Sequence, residues 1–216
     1  VTPAPAPVPP AAAAPRQGRP RAVPGGRSGT GGTTREDILD AAAELFTTRG
    51  FTRTSTRALG EAAGVRQATL YHHFRGKDEV LAELLDATVR PSLELAEHLV
   101  TGPGALGPAA LRLHVLARFD AGLLAGSRWN VGALYLLPEA RAERYAGFWA
   151  QRDRLAQAYR VLAREAAPAA ARAAVADPVA AAVPMAVVES VIHLRHDAGA
   201  PESAALALAD ACLRAV

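Results

Sequence analysis

The sequence predicts an all-α protein of about nine helices, and three observations carry that prediction. Apolar residues recur three or four positions apart from Ile38 nearly to the C-terminus. No stretch alternates apolar and polar residues between turn signals, as a half-buried strand would. Thr, Ser, Asp, Gly and Pro fall where helix starts and stops want them. Half of the 216 residues are hydrophobic and 21% are charged, enough to bury the core of one large or two small domains. No uncharged apolar run approaches the ~20 residues that span a bilayer, and prolines break up any signal-like opening. The lone Cys212 excludes an internal disulfide and a thiolate metal cluster. The expectation is a cytoplasmic protein without membrane partners.

Residues 1–32 hold Pro, Ala and Gly with four arginines and no apolar period, so they read as a disordered arm. Within the arm, Arg16-Gln17-Gly18-Arg19-Pro20-Arg21 has the form of a degenerate minor-groove hook. Thr33 or Thr34 opens the first helix, with Glu36 or Asp37 completing a capping box. Ile38, Ala42, Leu45 and Phe46 form its inner face, and Gly50 stops it. Thr54 and Ser55 offer the next cap, for a short helix through Leu59, Ala62 and Ala63 that ends at Gly64. A third runs from Arg66 to Phe74 with Leu70 and Phe74 inward. Lys77-Asp78 leads into a longer helix through Leu81, Leu84, Leu85 and Thr88, which Pro91 should kink. A loop at 102–107 precedes a helix from Pro108 to about Leu124, and Trp129–Leu137 makes a short one. Pro138 then suits the first position of a long helix reaching about Ala166. Asp177-Pro178 caps a helix to about His196, bent at Pro184, and Pro201-Glu202 opens the last. The division expected is an arm at 1–32, a head at 33–80 and a helical body at 81–216.

Charge separates the head from the body. Between Arg16 and Lys77 lie eleven basic residues and five acids, whereas 78–216 carries thirteen bases and sixteen acids. A basic N-terminal third on a mildly acidic body suits a polyanion. Two short helices joined by Gly64, with Gly60 and Ala63 as small contacts and Leu59, Val65 and Leu70 as a buried wedge, are the parts of a helix-turn-helix. That wedge turns Gln67, Ala68, Thr69, Tyr71 and His72 toward a major groove.

The span Thr34–Leu85 resembles the DNA-binding domain of the TetR-like family, about a quarter of the chain. The matching residues are Ile38-Leu39, Ala41-Ala42, Leu45-Phe46, Gly50-Phe51, Thr54-Ser55, Leu59, Glu61 to Val65, Thr69 to His72, Phe74 and Lys77 to Glu79. The resemblance implies a homodimeric regulator, most often a repressor, that binds a pseudo-palindromic double-stranded operator and leaves it when a small molecule fills the body. It implies no enzyme activity and no cofactor. Thr54 and Ser55, at a helix N-terminus, suit a phosphate, with Arg57 one turn on and Lys77 pinning another. Gln67 and Thr69 suit base reading, while Tyr71 and His72 suit the backbone or a base edge. Departures from the family pattern are Arg66, Gln67, Ala58 and His73. Arg66 cannot cap the recognition helix and suits a phosphate or guanine instead.

Beyond the head, seven of the eleven aromatics fall between Phe119 and Tyr159. A small-molecule cavity is therefore expected there, with His114, Arg118, Phe119, Trp129, Asn130, Tyr135, Tyr145, Trp149 and Arg152 as candidates. Val183, Val187, Val191 and Leu194, with Leu206, Ala209 and Leu213, make small and branched stripes suited to a four-helix dimer contact. Cys212 reads as a buried small hydrophobe. Glu189, His193 and His196 have a metal-compatible spacing, but the set alone assigns no metal. Two alternatives stay open: a DNA-binding regulator without a ligand, and an all-α metabolite-binding protein or enzyme with a vestigial helix-turn-helix.

Overall fold

The computed structural model describes residues 34–198 and 203–216. The arm at 1–32 with its Arg16–Arg21 hook, the Thr33 cap and the Pro201-Glu202 helix start lie outside the described residues. Among the described residues ten α-helices succeed one another: α1 (Thr34–Thr48), α2 (Thr56–Ala62), α3 (Gln67–His73), α4 (Lys77–Thr101), α5 (Ala109–Gly126), α6 (Ala146–Ala166), α7 (Arg172–Val175), α8 (Val183–Glu189), α9 (Val191–Ala198) and α10 (Ser203–Arg214). Five short 3-10 helices connect them, and there is no strand among the described residues.

The first three helices are built as their local signals require. The Ser55 hydroxyl caps α2 by accepting from the Ala58 amide at 3.1 Å. Gly64 takes a left-handed φ of +69°, which lets the chain turn from α2 into α3. A Cβ at Gly60 would stand 3.2 Å from the Val65 carbonyl oxygen, so a small residue is needed where the turn folds back on α2. Ile38, Phe46, Leu59, Leu70 and Phe74 are buried together against Val80, Leu81 and Leu85 of α4. Among the described residues that apolar cluster continues into the body as far as Cys212, so α4 is common to the three-helix unit and the larger body.

In the body, α6 lies along α4, and α10 lies along α5. Gly122 faces Ala205, while His114 Nδ1 is 3.6 Å from Asp210, an order that makes α5 and α10 antiparallel. One buried polar knot ties three helices. Ser92 of α4 donates to the Asp120 carboxylate at 2.8 Å, and Tyr159 of α6 donates to its other oxygen at 3.0 Å. Burial pushes the Asp120 carboxyl up to about 6 despite those two donors. Cys212 is fully buried, as the sequence implies, and its thiol donates to the Pro184 carbonyl at 3.2 Å.

Three expectations about elements need correcting. The long helix does not begin at Pro138: two 3-10 turns occupy Pro138–Arg141 and Glu143–Tyr145, and α6 starts at Ala146. The extended backbone of Leu137 and Ala142 breaks the helix there while Ala140 and Tyr145 are pressed inward. The helix expected from Asp177 to His196 is interrupted. Asp177 accepts from the amides of Val179 and Ala180, a 3-10 turn comes next, and α8 and α9 are separated at Ser190. Pro184 sits in the first turn of α8, where its missing N–H costs little, so it opens a helix instead of bending one. Pro91, by contrast, lies inside α4, which runs on through it to Thr101.

Candidate nucleic-acid interface and body cavity

The helix-turn-helix exposes one face of α3. Leu70 is fully buried, whereas Gln67, Ala68, Tyr71 and His72 are exposed and Thr69 is half-buried. The Tyr71 hydroxyl lies 3.3 Å from that of Thr56, a residue that no sequence motif singles out, so α2 helps to orient the ring. Arg66 occupies the N-cap position of α3 without capping it, which leaves its exposed guanidinium outside the helix. Arg57 is exposed on α2 and pairs with Glu61 at 2.9 Å, one turn along. Arg53 and Arg75 add exposed positive charge to the same unit. The arrangement can place amide, hydroxyl and phenol groups against base edges and several guanidinium groups against phosphates.

Two expected phosphate ligands are otherwise engaged. The Lys77 ammonium donates to the carbonyls of Phe51 at 2.9 Å and Thr54 at 3.0 Å, and lies 4.3 Å above the Phe51 ring. Its three donors close the turn before α2 and are not offered outward. Thr54 is 1% exposed, and its hydroxyl donates to the Gly50 carbonyl at 2.9 Å. The exposed group at that helix start is Ser55.

The body holds a cavity of about 340 Å³ whose wall includes Tyr135, Trp149, Arg152, Glu189 and His193. The sequence predicts Tyr135, Trp149 and Arg152 in one cavity, and the fold brings them together. Arg152 of α6 donates to Glu189 of α8 at 2.5 Å, and its guanidinium carbon is 5.2 Å from the Tyr135 ring. The same Arg152 and Glu189 border a small inner space of about 20 Å³, room for about one water, that reaches Asp120. Glu189 is therefore an ion partner in this cavity. No group of three or more metal-binding side chains occurs among the described residues, and the His196 side chain lies outside what is described.

The other cavity candidates are elsewhere. Trp129 donates its indole N–H to Asp40 of α1 at 3.1 Å, beneath the Arg128 guanidinium. Tyr145 donates to Asp78 at 3.1 Å, and Arg144 pairs with the same carboxylate at 2.6 Å. Asn130 donates to the Ile192 carbonyl at 2.8 Å. These residues belong to the 128–145 connection, which thus grips α1 at Asp40 and the start of α4 at Asp78. Neither clasp has a local signal in the sequence, because each joins residues far apart in the chain.

The span 38–84 matches the family model described as bacterial regulatory proteins, tetR family. Mycobacterium smegmatis AmtR, known from a crystal structure, is 47% identical with a TM-score of 0.78, over 87% of this chain and 88% of that one. The chain belongs to the tetR family. The HTH-type transcriptional repressor KstR2 of Rhodococcus jostii is 43% identical over 51 residues, 24% of this chain and 25% of KstR2. The chain thus matches only about a quarter of that relative's length. AibR, solved in complex with isovaleryl coenzyme A and operator DNA, shares the fold at 20% identity with a TM-score of 0.60, covering 84% of this chain and 96% of that one.

In this tetR-family chain the remaining expected residues fall on the outside of the body or inside its core. Phe119 and Arg118 are exposed, and His114 is half-buried beside α10. Along α5 the buried ridge is Leu113, Leu116, Ala117, Asp120, Ala121 and Leu124, which turns Phe119 outward. Leu111, Val115 and Phe119, at 57%, 39% and 44% exposed, line with His114 and Arg118 an open groove of about 570 Å³ on the outer face of α5, so three expected cavity residues meet there, apart from Tyr135. Of the expected dimer residues, Val191 and Ala209 are fully buried in their own protomer and offer nothing to a partner. Val183, Leu194 and Leu206 are exposed, while Val187 and Leu213 are half-buried.

Proposed function

We propose that this chain is a DNA-binding transcription regulator, a repressor that acts as a homodimer on a pseudo-palindromic duplex and is released by a small molecule held in the body. The observation that carries the reading is the exposed face of α3, with Leu70 anchoring it and Arg57, Arg66 and Arg75 around it. Gln67 and Thr69 are the base readers, Ser55, Arg57 and Arg66 the phosphate contacts, and Tyr71 and His72 extend the surface. A twofold pair is required because two recognition helices must enter successive major grooves about 34–36 Å apart. The exposed α5 stripe, with Leu206 on neighbouring α10, is the surface a second copy would cover.

The route from cavity to DNA runs through the 128–145 connection. Tyr135 lines the cavity, while Trp129 and Arg144 of the same connection hold Asp40 and Asp78. An occupant that displaces Tyr135 or Arg152 moves those clasps, and with them the angle of α1 and α4. The released state gains population in proportion to the occupant's differential affinity for it. AibR, a chain of the same fold, was solved with both a ligand and operator DNA.

The test is fluorescence anisotropy with the duplex upstream of the gene against a scrambled duplex, across a salt series. Tight binding to the first alone, weakening steeply with salt, is expected. Equal affinity for both duplexes would defeat the operator reading.

A further inference from the structure

We propose that the body cavity takes a small carboxylic acid with a flat apolar body, whose carboxylate seats on Arg152 and displaces Glu189. The proposal rests on the cavity being the effector site of the regulator described above.

The chemistry of Arg152 points that way. Nε and Nη2 form one edge of the guanidinium, spaced to hold both oxygens of a carboxylate. Glu189 takes Nη2 at 2.5 Å, whereas Nε is buried without a hydrogen-bond partner. An unmet buried donor calls for an acceptor, and a carboxylate placed on this edge satisfies both donors where Glu189 satisfies one. The charges lining the cavity agree: Arg141 and Arg152 stand against Glu189 alone among the described residues. The nearby Asp120 belongs to the inner space and is already held by Ser92 and Tyr159. A cationic ligand would have to evict Arg152 from its place near the Tyr135 and Trp149 rings, which lie 5.2 and 5.7 Å from its guanidinium carbon. A flat ring can lie beside those aromatics, and about 340 Å³ is the lower range of small-molecule sites. Displacement would part α6 from α8 where the Arg152–Glu189 pair now joins them.

The experiment titrates the full chain, free of DNA, with benzoate, benzamide and benzamidine by ligand-observed NMR. The three share a ring and differ in charge. Benzoate should bind saturably, with a dissociation constant on the order of millimolar for so small a ligand, and benzamidine at least about tenfold more weakly. Glu189→Gln removes the internal competitor and should tighten benzoate about tenfold, a gain that a merely structural ion pair would not give. Arg152→Met should abolish it. Preference for benzamidine, binding of none of the three, or a Glu189→Gln variant that binds benzoate no better overturns the proposal. Operator release is read separately: benzoate binding that shows this pattern but leaves anisotropy on DNA unchanged preserves the ligand class and removes the release mechanism.

Discussion

Gln67 and Lys77 are both polar residues of the helix-turn-helix, and their places in the chain point both toward DNA. Gln67 is exposed on α3, where its amide is free to make paired contacts with a base edge. Gln67→Ala should therefore cost roughly 1–3 kcal/mol on the preferred duplex and relax sequence preference at one position, measured with a panel of single-base variants. Uniform weakening on every duplex would move Gln67 to the phosphate contacts. Lys77 instead satisfies the carbonyls of Phe51 and Thr54, more than twenty residues earlier. Lys77→Met keeps the stem and removes the ammonium, so it should lower folding stability by about 1–3 kcal/mol in urea denaturation. The salt slope of DNA binding should stay as it was, because no phosphate contact is lost. Ser55, Gly64 and Leu70 are legible in the sequence because a cap, a left-handed turn and a wedge are local features. Lys77 is not, since its partners lie across a return of the chain that spacing does not reveal.

At the level of elements, the three-helix unit obeys its signals and the body departs from them where tertiary contacts overrule a cap. Pro138 is a sound first residue for a helix, yet two 3-10 turns follow it with Ala140 and Tyr145 buried, and α6 waits until Ala146. Asp177 does cap, but Ser190 divides the helical stretch beyond it. The aromatic content of 119–159 suggests a cavity without saying which way each ring faces. The buried ridge of α5 decides that for Phe119, which joins Leu111 and Val115 at i, i+4 and i+8 on the outward face. What joins α4, α5 and α6 is Asp120 with Ser92 and Tyr159, and it has a pH signature. The carboxyl titrates near 3.8 when unfolded and at about 6 when folded. Below about pH 4 it is neutral in both states and costs nothing; as pH rises through 6 the folded protein must carry a buried charge. The stability contributed is thus full at the acid end and lost toward neutrality, by roughly 3 kcal/mol. Asp120→Asn removes the titration, and the Ser92 hydroxyl can turn to accept from the new amide. Relative to wild type, the variant should gain stability between about pH 4 and pH 7 in urea melts. A constant difference across that window would show that Asp120 does not titrate there.

For the whole molecule, the position of the paired surface determines whether the two α3 helices can act on one duplex. The apolar stripes of the sequence point to the last helices, where the fold buries Val191 and Ala209 in the protomer and leaves Val183, Leu194 and Leu206 exposed. The large apolar side chains left outside the body include Leu111, Val115 and Phe119 on α5, beside Val183, Leu194 and Leu206 of the expected set, and the α5 stripe is the face we propose a second copy covers. Burying such a face needs a surface that matches it, and a twofold copy presents the same stripe in return. Phe119→Asp puts a charge in the middle of this face without removing a packed core side chain, because Phe119 is 44% exposed in the protomer. Helical content and thermal unfolding of dilute protein should then be preserved. Sedimentation equilibrium should give the 22.5 kDa chain where wild type gives twice that mass. Binding to a full palindrome should fall to the level of an isolated half-site, since a single α3 reads only one major groove. If Phe119→Asp remained a dimer while Leu194→Asp became a monomer, the contact would lie on α9 and the α5 groove would be free for another occupant.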